Sequence, residues 1–428
     1  MNRRLQTLPC RSGMTLALLG ALLAACAPSE PGETLHFWAM GREGELVRQL
    51  VPEFERRNPD VTVQVQQIPW SAAHEKLLTA YAGDVLPDVF QLGNTWLPEF
   101  VALRALEPLD ARLAKSESAD FFPGILETNR IGERLYGLPW YVDTRVLFYR
   151  KDWLKEAGLE RPPRRWEEWL AAMERMKAGR TGRFAILLPV NEWEMPVLLA
   201  WQMGGELLDR DARHGNFRSP EVEKAFALYL DLFRQGYAPA LGVSQISNLY
   251  QEFARGLFSL YLSGPWNVGE FRKRLPPSLQ DEWDTTPLPS FDGAAAGVSL
   301  AGGASLVLSS GSQHKEAARR WIAFLTDPQI QARFYALSGD LPARASAWES
   351  PEIARERRVA AFREQLGQVR ATPKIPEWER IAGKIAYQVE RAIRGEATLK
   401  ETLAALDADA ERILEKRRWL LDKRGGAP

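Results

Sequence analysis

The chain has 428 residues, 45% of them hydrophobic and 26% charged, with 55 basic side chains balanced by 55 acidic ones. That length accommodates two or more domains with cores of their own, and the composition excludes a disordered or collagen-like chain. Without a net charge or a long run of like charges, there is no basic field to hold nucleic acid.

At the amino end, Arg3, Arg4 and Arg11 flank an apolar run over 14–22 that is too short for a mature spanning helix, and Leu23-Ala24-Ala25 places small residues before Cys26. This resembles the lipobox of bacterial lipoproteins. It implies a lipoprotein signal peptide over 1–25, lipidation of Cys26, and a membrane attachment through that anchor at the cell envelope, in the periplasm or on the outer face. Cys10 falls in the removed piece, so the mature chain carries no disulfide pair. Residues 26–32 read as a tether, and no later stretch is long and apolar enough to span a bilayer.

Strand and helix patterns then alternate. A strand over 34–38 leads to a helical stripe over 43–57, with Leu46, Val47, Leu50 and Phe54 on one face and a stop at Asn58-Pro59-Asp60. Val61, Val63 and Val65 alternate as a second strand, Pro69-Trp70-Ser71 breaks it, and a helix over 72–82 closes at Gly83. A third strand over 86–92 exits into Gly93-Asn94-Thr95-Trp96, and Trp140-Tyr141-Val142-Asp143 leads into a β-prone run over 145–149. Helices follow from Lys151 and from Trp166, then a strand over 184–188 and helices over 196–203 and 222–234. The run over 258–262 reads as a buried strand ended by Ser263-Gly264-Pro265, which delivers Trp266 and Asn267. A glycine-started strand over 302–308, a helix over 315–326 and a helical tract over 381–421 complete the chain. The alternation predicts layered α/β structure with mainly parallel sheets. Ligands in such sheets bind beyond the carboxyl ends of strands, so the indoles of Trp96, Trp140 and Trp266 mark candidate site exits.

Phe148-Tyr149-Arg150-Lys151-Asp152, Ala157-Gly158-Leu159, Pro162-Pro163 and Trp166-Glu167-Glu168 resemble the family-1 extracellular solute-binding proteins, the carbohydrate-binding subunits of ABC importers such as the maltose- and trehalose-binding proteins. Leu86-Pro87-Asp88-Val89, Ala254-Arg255-Gly256 through Trp266, Pro287-Leu288-Pro289, Gly302-Gly303, Lys315-Glu316-Ala317-Ala318 and Leu341-Pro342-Ala343-Arg344 follow in the family's order. The resemblance covers nearly the whole mature chain. It implies a type II periplasmic-binding-protein fold, two lobes with a hinge between them, each a mainly parallel sheet flanked by helices. Lobe one would comprise 33–142 and 301–342, and lobe two 143–300 and 343–428. It further implies a monomer without a cofactor that binds an oligosaccharide, an α-glucoside disaccharide such as maltose or trehalose, in the cleft and delivers it to ABC permease subunits powered by a separate ATPase. Asp143 would bind the sugar, and Arg344 at a second hinge would donate to its hydroxyls.

The residue types agree with a sugar site. A pyranose presents apolar faces rimmed by hydroxyls, which calls for aromatic plates ringed by charged and amide groups. Trp266, Trp140, Tyr141 and Trp96 are the candidate plates, and Asp143, Arg344, Glu43, Asn94 and Thr95 the candidate partners. Asp88 either joins them or caps a turn after Pro87, and Gly302 and Gly303 either admit a ligand to backbone amides or permit a tight strand start. Trp153, Trp166, Trp169 and Trp321 sit at helical spacing and belong to cores, while Trp38, Trp193, Trp201 and Trp378 stay open. His36, His74, His214 and His314 share no metal-binding spacing, and no nucleophile elbow, phosphate loop or dinucleotide fingerprint occurs. The enzymatic alternative is a lipoprotein glycosidase using two of Glu43, Asp88, Asp143 and Glu194. Two others are a polysaccharide-capture lipoprotein and a receptor for a polyol phosphate, the last held by Arg42, Arg145 and Arg344.

Overall fold

The computed structural model describes residues 32–110, 118–179 and 181–425; the signal segment, Cys26 and all of the tether but Gly32 lie outside them. Among the described residues, a six-stranded sheet has the spatial order Leu341–Pro342, Gly137–Asp143, Gly302–Leu308, Val89–Gly93, Glu33–Met40, Val61–Ile68. A four-stranded sheet has the order Trp283–Thr286, Val146–Arg150, Leu260–Ser263, Ile186–Leu187. Helices flank both, and each sheet with its helices forms one α/β unit.

The expected parallel pairing holds for Glu33–Met40 with both of its neighbours, which strand–helix–strand connections join. Elsewhere the sheets are mixed. Gly302–Leu308 runs antiparallel to Val89–Gly93 and to Gly137–Asp143, and Val146–Arg150 runs antiparallel to Leu260–Ser263 and Trp283–Thr286. The reason is connectivity: Gly302–Leu308 enters its sheet from the other α/β unit instead of through a local helix. The passage in the opposite direction is short, because residues 144–145 alone separate Gly137–Asp143 in one sheet from Val146–Arg150 in the other.

Alternation along Glu33–Met40 buries Leu35, Phe37 and Ala39 completely. Phe37 meets Trp321 edge-on at 5.7 Å, and that indole stacks on Phe324 at 5.6 Å, so the helix Lys315–Leu325 covers this face. The second unit is built on Trp153, Trp166 and Trp169, all buried as their helical spacing predicts. Two helical expectations are refined. The stripe over 43–57 divides into Gly41–Leu46, a 3-10 turn Val47–Gln49 and Val51–Arg57, since Pro52 has no N–H to continue the ladder. The C-terminal tract divides into Trp378–Ile393 and Leu399–Gly425, where Gly395 takes φ +78° and ends the first helix. Among the described residues no helix is long and apolar enough to cross a membrane.

Candidate functional site

Strand exits from both units meet at one cleft of about 540 Å³, within the ~300–1,000 Å³ common for small-molecule sites. The first unit contributes Glu43, Trp70, Asn94, Thr95, Trp96, Tyr141, Asp143, Gly302, Gly303 and Asp340. From the other side come Arg145, Trp193, Glu194, Trp266, Glu270 and Glu379. Nine of the twelve ligand-site expectations are therefore brought together: Trp266, Asp143, Tyr141, Glu43, Asn94, Thr95, Trp96, Gly302 and Gly303.

Three are not, and each has a physical reason. Trp140 is 1% exposed and packs in the core. The register between Gly302–Leu308 and Gly137–Asp143 shifts at Ala304/Ser305, which pair with Tyr141 and Pro139 and leave Trp140 out of the ladder. Proline cannot donate to a ladder, and the resulting bulge turns the Trp140 indole onto Phe334, stacked at 4.5 Å. Arg344 is 7% exposed; its Nε donates to the carbonyl of Thr326 at 2.9 Å and its guanidinium lies 4.2 Å over the Phe121 ring. It closes the C-terminus of the helix Lys315–Leu325, where a cation meets the negative end of the dipole. Asp88 precedes Val89–Gly93 and accepts from the backbone N–H of His36 at 2.9 Å and from Ser312 Oγ at 2.6 Å. It therefore occupies the opposite end of the strand from Asn94, roughly 20 Å away at strand rise.

The central group is Arg145, in the passage between sheets. Its Nη2 donates to Glu194 Oε1 at 3.0 Å and lies 3.6 Å from Asp143 Oδ2, and its guanidinium stacks 5.0 Å from the Trp266 ring. Burial, which opposes its charge, is outweighed by Asp143 and Glu194, so the cation is held more firmly than usual. Asp143 is displaced upward by burial despite Arg145. Trp266 opens the helix Trp266–Arg274 directly after the strand Leu260–Ser263. Gly264 is required beneath it: a Cβ there would fall 1.9 Å from the indole Cζ3.

On the facing wall, Trp96 meets Trp70 edge-on at 5.8 Å. Glu379, on the helix Trp378–Ile393, reaches the cleft beside Thr95 and Trp96; burial lifts its carboxyl above the usual range although those two side chains favour its charge. Glu43 accepts from Trp70 Nε1 at 3.3 Å and from the Tyr141 hydroxyl at 3.4 Å. Tyr141 in turn accepts from Gln91 Nε2 at 2.8 Å. Gly303 takes φ +130°, and a Cβ on it would stand 2.3 Å from the Tyr141 carbonyl, so this glycine serves strand approach at the cleft floor.

Among the described residues, four buried polar atoms of cleft-lining side chains have no hydrogen-bond partner: Asn94 Nδ2, Arg145 Nε, Asp143 Oδ1 and Glu379 Oε1. Two are donors and two are acceptors. Buried polar atoms are ordinarily satisfied, so the cleft wall carries unmet hydrogen-bonding capacity of both kinds. The arginines do not form the anion pocket considered from sequence, since Arg344 is elsewhere and Arg42 donates to Glu270 Oε1 at 2.7 Å.

Several cleft residues escaped the sequence reading. Trp70 stands at a strand exit like Trp96, so the Pro69-Trp70-Ser71 break carries the same signal. Glu270 lies one helical turn after Trp266, so both reach the same cleft. Of the open tryptophans, Trp193 lines the cleft, backed at 5.4 Å by the fully buried Trp378. Asp340 and Glu379 had no local signal at all.

A cleft between two α/β lobes, walled by aromatic rings from both and joined by short passages, defines a two-lobe binding protein of the periplasmic type. The chain belongs to the family of bacterial extracellular solute-binding proteins, whose model matches residues 40–332. It is 47% identical to the sugar-binding protein MalE of the phytopathogen Xanthomonas citri, whose structure superposes with a TM-score of 0.86 over 91% of this chain and 99% of that one. It is also 26% identical to a galactooligosaccharide-binding protein of Bacillus subtilis, over 94% of this chain and 96% of that protein. An uncharacterized lipoprotein of Streptomyces antibioticus is 27% identical over 94% and 92% of the two chains. The family, the Xanthomonas MalE and the galactooligosaccharide-binding protein are binding proteins and not enzymes, which removes the glycosidase alternative.

Proposed function

We propose that this protein is the substrate-binding subunit of an ABC sugar importer, which takes an oligosaccharide into the cleft and hands it to the permease subunits. The observation that carries the reading is the cleft wall, where aromatic rings from both lobes stand among the donors of Asn94 and Arg145 and the acceptors of Glu43, Asp143 and Glu194. A hydroxyl both donates and accepts, so a polyhydroxylated ring satisfies both kinds at once. Trp70, Trp96 and Tyr141 on one wall, with Trp193 and Trp266 on the other, offer plates for more than one ring. This supports a disaccharide, an α-glucoside such as maltose or trehalose.

In this reading 33–142 with 301–342 forms one lobe and 143–300 with 343–428 the other, save that Asp143 ends a strand of the first lobe's sheet, and ligand contacts from both bias the hinge toward closure. Trp266, Asp143, Tyr141, Glu43, Asn94, Thr95, Trp96, Gly302 and Gly303 contact the sugar. Acyl chains on Cys26 hold the monomeric receptor at the envelope, in line with the lipoprotein relative, and a separate ATPase powers uptake. Calorimetric titration with a disaccharide panel, paired with small-angle scattering, tests this. Binding of one or more disaccharides with compaction is expected; a folded protein that binds none of them refutes the proposal.

A further inference from the structure

The aromatic row on the first lobe's wall ends at a charge. Trp96 meets Trp70 edge-on at 5.8 Å, and the Trp70 indole lies against Gly41, where a Cβ would fall 2.6 Å from its Cδ1. The next residue is Arg42, whose Nη1 crosses to the other lobe and donates to Glu270 Oε1 at 2.7 Å. Glu270 stands one helical turn beyond Trp266, so on both walls an aromatic ring is followed by one half of the same ion pair. The carboxylate half is fixed in place: Arg274 donates from Nε to Glu270 Oε2 and is itself braced over the Tyr250 ring at 5.0 Å.

Next to Glu270 the lobes approach through glycine. Gly339 takes φ +86° at the end of the helix Pro328–Ser338, and a Cβ on it would stand 3.9 Å from the Trp266 carbonyl oxygen and 4.0 Å from Gly269 Cα. A second cavity of about 630 Å³ adjoins the cleft here. Arg42, Glu270 and Ser338 line both spaces, which puts the ion pair on the partition between them. The second cavity also has Tyr335, Arg272 and Lys273 in its wall, a ring among donors, the residue types that suit a further sugar ring.

We propose that the Arg42–Glu270 ion pair sets chain length: it ends the sugar cleft after a disaccharide, and a longer oligosaccharide reaches the cavity behind it only by parting the pair. This rests on the sugar-binding reading above. A neutral ring pushed through the partition takes Arg42 away from a carboxylate that is 16% exposed and offers hydroxyls in exchange. Charge-assisted hydrogen bonds are roughly twice as strong as neutral ones, so the exchange is unfavourable. The same ring also separates Gly339 from Gly269 and so opposes the closure of the lobes. Discrimination here comes from a barrier: disaccharide and longer homologue share the cleft contacts, and the longer one alone meets the ion pair.

The test is calorimetry with maltose, maltotriose and maltotetraose, and with trehalose and its homologues lengthened by one and two glucosyl units. Wild type, Arg42→Ala, Glu270→Ala and the double variant are compared, with thermal unfolding to confirm that each is folded. The quantity read is the ratio of Kd for a longer homologue to Kd for its disaccharide, which a general weakening of the site does not move. In the wild type that ratio is expected to be about ten or more, and in each single variant to fall to within about threefold of unity. The double variant should go no further than either single one, because the two side chains form one barrier. The chain-length assignment is wrong, while the sugar-binding reading stands, if the wild type binds the longer homologues as tightly as the disaccharide. It is equally wrong if the ratio holds in a folded single variant, if the double variant sums the two single effects, or if both single variants lose sugar altogether. If the wild type binds none of these sugars, the α-glucoside reading and this one fall together.

Discussion

Trp266→Ala separates a cleft indole from a core one most directly. Trp266 is half-buried, backed by the Arg145 guanidinium at 5.0 Å and seated over Gly264. An aromatic face covering a pyranose removes on the order of 60 Å² of apolar surface from water, about 1.5 kcal/mol. The ring-specific contribution is ~0.5–1.5 kcal/mol. Together they amount to about 2–3 kcal/mol, a ~30- to 150-fold rise in Kd. The melting temperature should fall little, because the ring is not a core group. Trp140→Ala should do the reverse: deleting an indole that is 1% exposed costs about 3–5 kcal/mol of stability while affecting affinity far less. Gly264→Ala adds a control without removing the ring, since its Cβ would collide with the indole and displace it from the cleft. Calorimetry with the tightest-binding disaccharide, alongside thermal unfolding of each variant, reads both quantities. A folded Trp266→Ala protein that binds like the wild type refutes the assignment.

Removing Arg145 leaves Asp143 and Glu194 facing each other with their cation gone. Arg145→Ala should therefore lower stability by about 3 kcal/mol and abolish measurable sugar binding; unchanged denaturant unfolding argues against a central role. Asp340, displaced upward to about 8 in the folded protein, binds its proton more tightly there than in the unfolded chain. Its stabilising contribution is complete below the ordinary carboxylate range, about 4, and is lost as pH rises toward 8. Asp340→Asn should thus gain on the wild type by on the order of 1–3 kcal/mol between pH 5 and 8 in parallel urea titrations, and a constant difference defeats the prediction. Arg344→Ala uncaps the helix Lys315–Leu325, so a loss of about 1–3 kcal/mol with unaltered sugar affinity is expected. A change in Kd with stability intact would return Arg344 to the cleft.

Much of the fold was legible from local pattern. Glycine and proline stops, alternating valines and helical stripes located many of the strands and longer helices to within a few residues, because periodicity reports which face an element buries; the helices Leu249–Arg255, Trp266–Arg274 and Pro328–Ser338 carry no such signal. The strand exits at Asn94-Thr95-Trp96 and Trp266 were legible for the same reason, since an apolar strand that stops at Gly or Gly-Pro must throw its next side chains beyond the sheet. The ordered run of weak motifs from Asp88 to Arg344 pointed to two lobes.

Tertiary structure decided what periodicity does not carry. Trp140 and Tyr141 are neighbours with equal claims in the sequence, and a register shift opposite Pro139 sends one to the core and the other to the cleft. Asp88 and Asn94 bound the same strand, and only the direction of that strand in its sheet assigns the site to Asn94. Arg344 was placed by a family pattern at a hinge, yet a carbonyl at a helix end satisfies it first. The acidic character of the cleft is wholly tertiary. Glu43, Asp340 and Glu379 come from a first helical turn, a strand edge and the C-terminal pair of helices, and each is unremarkable alone. Sequence determines what each segment buries; convergence of charges depends on how the chain passes between two sheets, and that is set by packing across long loops.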